Sequence, residues 1–142
     1  MGHRGTRHHR AFQGNEDQAT RALAAFADEI HLAARRHAPT LDGLVLRYLD
    51  HLAATGYAAT TIARYHSLHR HWILPSIGRH RLRRIFNHDI QELLDTMADH
   101  GQSPSSIRQA RALLAGAYRW AQQQGTVSDN PALHIEWPWE PQ

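Results

Sequence analysis

Apolar residues recur at helical spacing in five stretches of this chain, and the most informative stretch lies between Ser103 and Gly125. Ser103 is a typical helix N-cap residue, Pro104 suits the first helical position, and Gly125 is a typical stop. The first two turns of this predicted helix carry hydroxyl, amide and arginine side chains where the free backbone N–H groups lie. The pattern therefore predicts one complete helix whose first turns favour an anion.

The same periodicity predicts four earlier helices, separated by proline, glycine and short polar connections. Thr40 is expected to cap one of them and Asn87 another, and Pro75 is expected to end the helix between those two. The predicted extents are residues 15–37, residues 41–55, residues 60 or 61 to 74, and residues 89–100. Residues 1–14 are rich in Gly, Arg and His without an apolar period, which predicts a disordered basic tail.

No stretch of the sequence alternates apolar and polar residues between turn signals, so no strand is predicted. The expected class is all-α, a helical bundle with short connections. A length of 142 residues with 42% hydrophobic residues suits one small domain plus some unpacked tail. The tail at residues 134–142, which contains Trp137-Pro138-Trp139, has no evident partner segment within the chain.

Charge is distributed unevenly along the chain. All 16 basic residues are arginines, and with 13 acidic residues the formal net charge is only +3. The segment from Arg47 to Arg119, however, contains ten arginines and only five acidic residues. A local excess of this kind suits a nucleic-acid partner, and it equally suits a mixed surface in contact with solvent.

Composition excludes several classes of protein. The absence of cysteine excludes disulfides, thiolate metal sites and a cysteine nucleophile, and it is typical of a reducing compartment. No apolar run approaches the roughly 20 residues that a transmembrane helix needs. We therefore predict a soluble protein of the cytoplasm with no membrane partner.

Motifs of catalysis and metal binding are missing from the sequence. It has no glycine-rich phosphate loop, no His-Glu-x-x-His pair and no Gly-x-Ser-x-Gly elbow. Among the 13 histidines, only His66 and His69 combine suitable spacing with a shared helix face. We predict no metal, no cofactor and no catalytic residue.

Two predicted helices have features of DNA binding. The helix that begins at Thr60 or Thr61 and the helix that begins at Pro104 both open with hydroxyl residues and carry arginines opposite their apolar stripes. Hydroxyls and backbone N–H groups at a helix start can position phosphates, and arginine, glutamine and serine can reach base edges in the major groove. The alternative interpretation of the same residues is ordinary capping plus a face in contact with solvent.

The stretch from Leu41 to Ala132 resembles the amino-terminal core-binding domain of tyrosine recombinases, the phage-integrase family. The resemblance depends on the order and spacing of several short pieces over about two thirds of the chain. The pieces are Ala59-Thr60-Thr61-Ile62-Ala63-Arg64-Tyr65, Trp72-Ile73-Leu74-Pro75-Ser76-Ile77-Gly78, Leu82-Arg83-Arg84-Ile85, His88-Asp89-Ile90-Gln91-Glu92-Leu93-Leu94, Ser103-Pro104-Ser105-Ser106-Ile107, Tyr118-Arg119-Trp120-Ala121 and Asp129-Asn130-Pro131-Ala132.

The resemblance implies a four-helix SAM-like core-binding bundle at residues 39–132, with an additional N-terminal helix at residues 15–38. It implies binding to double-stranded DNA, with the second and fourth helices of the bundle in or beside the major groove, and possible contact with other recombinase protomers on the same site. The implied DNA-binding residues are Thr60, Thr61, Arg64, Ser67 and Arg70 on one helix, and Ser105, Ser106, Arg108, Gln109 and Arg111 on the other. Backbone contacts from Arg79, Arg81, Arg83 and Arg84 in the connector are a further expectation.

The chain departs from the family in one large respect. Tyrosine recombinases cut DNA with a tyrosine nucleophile in a separate carboxy-terminal domain, and that domain has no counterpart here. Residues 133–142 are accordingly expected to be the start of an interdomain linker, and the chain is expected to bind DNA without cutting it. The alternative is a helical protein-interaction module with no DNA affinity, which docks through its tryptophan tail or first helix. A third possibility is an enzyme completed by a separate catalytic chain.

Overall fold

The computed structural model describes residues 39–139, and these residues contain four α-helices and no strand. The helices are α1 (Leu41–Ala54), α2 (Ala59–Leu68), α3 (Asn87–Asp99) and α4 (Pro104–Gln123). A π-helical segment (His69–Gly78) continues α2, and a short 3-10 turn (Leu82–Arg84) precedes α3. The predicted all-α class is confirmed. The predicted basic tail at residues 1–14 and the predicted helix at residues 15–38 lie outside the described residues.

Local capping chemistry fixes both ends of α4 and the start of α1. The Ser103 hydroxyl accepts a hydrogen bond from the Ser106 backbone N–H at 3.1 Å, and Pro104 follows as the first helical residue. The Thr40 hydroxyl accepts from the Gly43 N–H at 3.2 Å in the same way. After α4, Gly125 adopts a φ of 76°, a left-handed conformation that only glycine reaches without strain. These positions agree with the sequence prediction.

The predicted starts of two helices were wrong. Helix α2 begins at Ala59, with Ala58 at the N-cap and no side-chain cap, so neither Thr60 nor Thr61 caps it. Helix α3 begins at Asn87, the residue expected to be its cap. Its first turn is held instead by Asp89, whose carboxylate accepts from the Phe86 backbone N–H at 2.8 Å.

The predicted helix end at Pro75 was also wrong, because the chain continues in wider π-helical winding to Gly78. In an α-helix the Pro75 ring would clash with the carbonyl four residues earlier, whereas the wider i→i+5 winding moves that carbonyl away. The Ser76 hydroxyl donates to the carbonyls of Trp72 at 2.7 Å and Ile73 at 3.2 Å. The Ser76 side chain thus provides a hydrogen-bond donor to backbone carbonyls of the π-helical segment.

The four helices bury one apolar core. Fully buried residues come from every helix, and the largest is Tyr118 on α4. Its hydroxyl donates to the Leu82 carbonyl at 3.2 Å, which ties α4 to the 3-10 turn. Burial, with a smaller contribution from Asp89, raises the pKa of the Tyr118 hydroxyl far above its usual value.

The segment after α4 packs back onto the bundle, so the expectation of a tail without a partner was wrong. The Glu136 N–H donates to Gln91 Oε1 at 2.8 Å, and Gln91 Nε2 donates to the Glu136 carbonyl at 3.2 Å. Further along, the rings of Trp137 and Trp139 meet edge to face at 4.8 Å and pack against the core. A side-chain amide on α3 thus pairs with the tail backbone much as a neighbouring strand would.

Candidate nucleic-acid interface

Arg64 on α2 joins two residues of α4 and so links the helices that the sequence analysis singled out. Its Nε donates to Gln109 Oε1 at 2.9 Å, and its Nη2 donates to the Ser106 hydroxyl at 2.5 Å. Arg64 itself is exposed, Gln109 is half-buried and Ser106 is buried. The structure therefore brings together three of the predicted DNA-binding residues, although Arg64 lies 42 and 45 positions before Ser106 and Gln109 in the sequence.

The contacts of Arg64 position its guanidinium without neutralising it. Both acceptors are uncharged, so the group keeps its full positive charge. A guanidinium has five N–H donors, and among residues 39–139 these two bonds are the only ones Arg64 makes, so its remaining donors can meet an external acceptor. An arginine held in one orientation with free donors is well suited to a phosphate oxygen or a guanine edge.

Ser106 has a supporting position in this arrangement. Its side chain is 9% exposed, and its hydroxyl also accepts from the Ser103 hydroxyl at 3.2 Å. The N-cap residue of α4, Ser106 and Arg64 therefore form one hydrogen-bonded chain. Ser105 and Arg108, by contrast, are exposed on α4.

The other DNA-binding residues predicted on the helix of Arg64 differ from one another in exposure and in their contacts. Thr60 is exposed, and Thr61 and Ser67 are half-buried. The Ser67 hydroxyl lies 3.4 Å from His71 Nδ1, which also lies 2.9 Å from the Ser67 carbonyl oxygen. Arg70 is exposed but belongs to the π-helical segment, so the α-helical spacing used to place it on one face with Arg64 does not apply.

Arg111, the last predicted residue of α4, is held by the tail. Its Nε donates to the Ala132 carbonyl at 2.9 Å, and its Nη2 donates to the Leu133 carbonyl at 3.2 Å. Next to it, Asn130 donates to the Ala115 carbonyl at 3.0 Å and accepts from the Ala132 N–H at 3.1 Å. The structure does not bring Arg111 together with Arg64 and Gln109; it uses the side chain to hold residues 132 and 133 against α4.

Comparisons with solved structures identify this arrangement of helices. The core-binding domain of bacteriophage lambda integrase is 27% identical and matches 66% of this chain and 98% of its own, with a TM-score of 0.59. The phage integrase SAM-like domain from Moorella thermoacetica is 25% identical over 72% of this chain and 88% of its own, also with a TM-score of 0.59. The described residues share the fold of phage-integrase core-binding domains.

These similarities confirm the predicted resemblance and the predicted SAM-like fold. A dimer of lambda integrase bound to a COC' core site also matches, at 24% identity and a TM-score of 0.64. The match covers 72% of this chain but only 37% of that integrase chain. Neither the family models nor the curated proteins searched gave a match.

The histidines of residues 39–139 do not gather into a metal site. Within residues 39–139, no group of three or more metal-ligating side chains converges. His69, one of the two histidines with suitable spacing, is 3% exposed and donates from Nε2 to Asp42 Oδ1 at 2.7 Å. It joins the π-helical segment to α1. Along the described part of the chain, no helix is long and apolar enough to cross a membrane.

The sequence analysis missed a close contact between α1 and α4. Gly116, in the interior of α4, leaves space that the Tyr48 ring and hydroxyl occupy, so that a Cβ at this position would overlap them. The Tyr48 ring also lies 6.0 Å from the ring of Trp120, and His51 stacks on Trp120 at 5.1 Å. A glycine inside an otherwise regular helix was the available signal, because it often marks the close approach of another group.

Proposed function

We propose that this core-binding domain binds double-stranded DNA as part of a tyrosine-type site-specific recombinase acting in the cytoplasm. The observation that carries the proposal is the Arg64 bridge, because it fixes a charged guanidinium with spare donors between α2 and α4. In this proposal the domain comprises residues 39–132, and residues 133–142 begin a linker whose first part packs back onto that domain.

The proposed DNA surface is formed by α2 and the first half of α4. A B-DNA major groove about 12 Å wide admits one helix, while a second helix beside it can reach the phosphate backbone. Ser106 supports Arg64 from inside, and Arg111 anchors the tail, so neither needs to touch DNA. The proposed contact residues are Thr60, Thr61, Arg64, Ser67, Arg70, Ser105, Arg108 and Gln109.

We further propose that the domain does not cut DNA alone. The lambda integrase structures that resemble it are a dimer bound to a COC' core site and a tetramer bound to a Holliday junction, and this chain matches only 37% and 43% of those chains. By analogy with them, other recombinase protomers on the same DNA site are the proposed protein partners.

One observation weighs against the rival function, a protein-interaction module without DNA affinity. That hypothesis used either the tryptophan tail or the first helix as the docking element; the first helix lies outside the described residues, whereas Trp137 and Trp139 pack against the bundle core. The charge of Arg64 also favours DNA binding over the protein-interaction module. Its contacts within the described residues are with uncharged groups, so its positive charge stays available to a phosphate.

The test is a salt titration of DNA binding. The full chain is titrated onto a fluorescently labelled random duplex at several salt concentrations, and log affinity is plotted against log salt. The slope should fall by about 0.9 for each phosphate contact removed, so Arg64→Ala should flatten the line by roughly that amount. Arg111→Ala serves as a matched control that should leave the slope unchanged. Absence of binding at low salt would favour the protein-interaction module.

A further inference from the structure

A cleft lies on the side of α4 that faces away from Gln109. It has a volume of about 1010 Å³ and is lined by residues 82–87, by residues 125–134 and by Tyr118 of α4. Tyr118 follows Gln109 by nine residues. This spacing is about two and a half turns of an α-helix, so the two side chains lie on opposite sides of α4. A ligand in this cleft, which we call the connector cleft, would therefore meet a different part of the domain from the Arg64 bridge.

The segment before α3, which lines part of the connector cleft, has a fixed backbone. The Leu82 N–H donates to the Pro39 carbonyl at 3.1 Å, and the Leu82 carbonyl accepts from the Tyr118 hydroxyl at 3.2 Å. The Leu82 side chain is buried. At the other end of the segment, the Phe86 N–H donates to the carboxylate of Asp89 at 2.8 Å. The exposed side chains of this segment therefore project from a backbone that is held at both ends.

Phe86 presents an aromatic ring to the connector cleft. Its side chain is 56% exposed, and it stands at the N-cap of α3, a position that favours small polar residues. The ring thus belongs neither to the core nor to a side-chain cap. The His88 ring lies nearly parallel to it, with the ring centroids 6.0 Å apart. Leu133, which is 47% exposed, lines the same cleft. Exposed apolar side chains that share a cleft indicate a ligand with flat or apolar groups.

The charge around the connector cleft is positive. Four exposed arginines precede Phe86 in the chain, namely Arg79, Arg81, Arg83 and Arg84. Within residues 39–139, none of their side chains forms a hydrogen bond or an ion pair. Arg83 lines the cleft, and Asp129 is the only carboxylate among the lining residues that the structure describes. Unpaired guanidinium groups beside an apolar cleft fit a ligand that combines negative charge with flat groups.

We infer that the connector cleft binds single-stranded nucleic acid. Proteins bind single strands through a basic groove that follows the phosphates and through aromatic rings on which the bases stack. Here Phe86 provides the ring and Arg83 the charge. Asn87 also lines the cleft, and its exposed side-chain amide has no hydrogen-bond partner among residues 39–139, so it can bond to the edge of a base.

The same residues fit other ligands less well. The bases of a duplex are stacked inside the helix and cannot lie on the Phe86 ring, although Arg83 was expected from the sequence to contact a duplex backbone. An apolar peptide could cover Phe86 and Leu133, but it would leave the four arginines unpaired. The inference is independent of the proposed binding of double-stranded DNA, because it depends on a different side of α4.

The experiment titrates the full chain and its variants onto a short, fluorescently labelled oligothymidylate at several salt concentrations. Phe86→Ala removes the stacking surface without changing the charge, so the affinity should fall at least about fivefold while the log–log salt slope stays unchanged. Arg83→Gln removes one phosphate contact and should flatten the slope for a single strand by about 0.7. Both side chains are exposed, so the urea midpoint of each variant should match that of the unmodified chain.

Matched controls come from exposed residues that do not line the connector cleft. Tyr57→Ala removes an aromatic ring that is 52% exposed, and Arg47→Gln removes one arginine charge. Neither variant should change the affinity for the oligothymidylate or its salt slope. In parallel titrations with a duplex, Phe86→Ala and Arg83→Gln should leave the slope unchanged, whereas Arg64→Ala should flatten it.

Several results would overturn the inference. If the unmodified chain binds the duplex but not the oligothymidylate at low salt, the connector cleft is not a single-strand site and the proposed function still stands. Equal losses for Arg83→Gln and Arg47→Gln would also reject it, because net charge alone would then explain the binding. If Phe86→Ala leaves the affinity for the oligothymidylate unchanged but abolishes self-association in sedimentation, the cleft instead receives a second copy of this chain.

Discussion

Arg64 donates its Nε hydrogen to Gln109 Oε1 at 2.9 Å, although the two residues are 45 positions apart in the chain. The bond joins two helices that each have only partial features of DNA binding. An arginine side chain that moves freely loses rotamer entropy when it binds DNA. The hydrogen bond to Gln109 already restricts Arg64 before DNA binds, so less entropy is lost on binding. In this arrangement Gln109 acts chiefly by positioning Arg64.

The first prediction separates the positioning role of Gln109 from the charge of Arg64. Gln109→Ala should weaken binding to a random duplex by roughly fivefold, the equivalent of about one hydrogen bond, while the salt slope stays unchanged because no charge is lost. Fluorescence anisotropy at three salt concentrations measures both quantities. Gln122→Ala, on the same helix but directed toward the Ser128 carbonyl, should leave both unchanged. A slope that falls with Gln109→Ala would contradict the positioning role.

The second prediction concerns the start of α4. Ser103→Ala removes the cap of the Ser106 N–H and the hydrogen bond to the Ser106 hydroxyl, so the free energy of unfolding should fall by about 1 kcal/mol. Urea unfolding followed by circular dichroism gives this value. Ser105→Ala is the control, since Ser105 is exposed and does not cap the helix. Equal losses for the two variants would mean that the cap contributes nothing specific.

Predictions from sequence succeeded where neighbouring residues determine the structure. The start of α4 at Pro104, its cap at Ser103 and its stop at Gly125 all follow from local chemistry, and the structure has each of them. The apolar stripes likewise identified the four helices of the core. The family resemblance added the SAM-like fold.

The remaining features depend on contacts between distant residues. The π-helical winding through Pro75 is accompanied by hydrogen bonds from the Ser76 hydroxyl to the carbonyls of Trp72 and Ile73, which helix periodicity does not reveal. Arg111 was predicted to bind DNA from its place in the first turns of α4 and from the family resemblance, and neither reveals the backbone carbonyls 21 and 22 residues later to which it donates. Similarly, only the fold brings Gln91 to the backbone of Glu136. A pattern of side chains along one helix cannot show which neighbour each of them will meet.

The third prediction is a loss of stability at alkaline pH that depends on Tyr118. Its pKa is raised in the folded state by burial, above an unfolded value of about 10. The stabilisation by the neutral phenol is therefore fully present below pH of about 10 and is lost progressively as pH rises beyond it. Urea midpoints between pH 8 and 11 should decline above pH of about 10, and Tyr118→Phe should reduce the decline. A decline of equal size in the variant would assign it to other groups, among them Tyr48 and Tyr65.

The last prediction tests whether Arg111 anchors the tail. In Arg111→Ala the carbonyls of Ala132 and Leu133 lose a donor, so the free energy of unfolding should fall by about 1–2 kcal/mol. Acrylamide should also quench the tryptophan fluorescence more strongly, because Trp137 and Trp139 belong to the released segment. DNA binding should keep its salt slope, since the lost charge is directed at the protein's own backbone. If Arg111→Ala instead flattened the slope as much as Arg64→Ala does, Arg111 would have to reach a phosphate, and the hydrogen bonds to the tail would have to open when DNA binds.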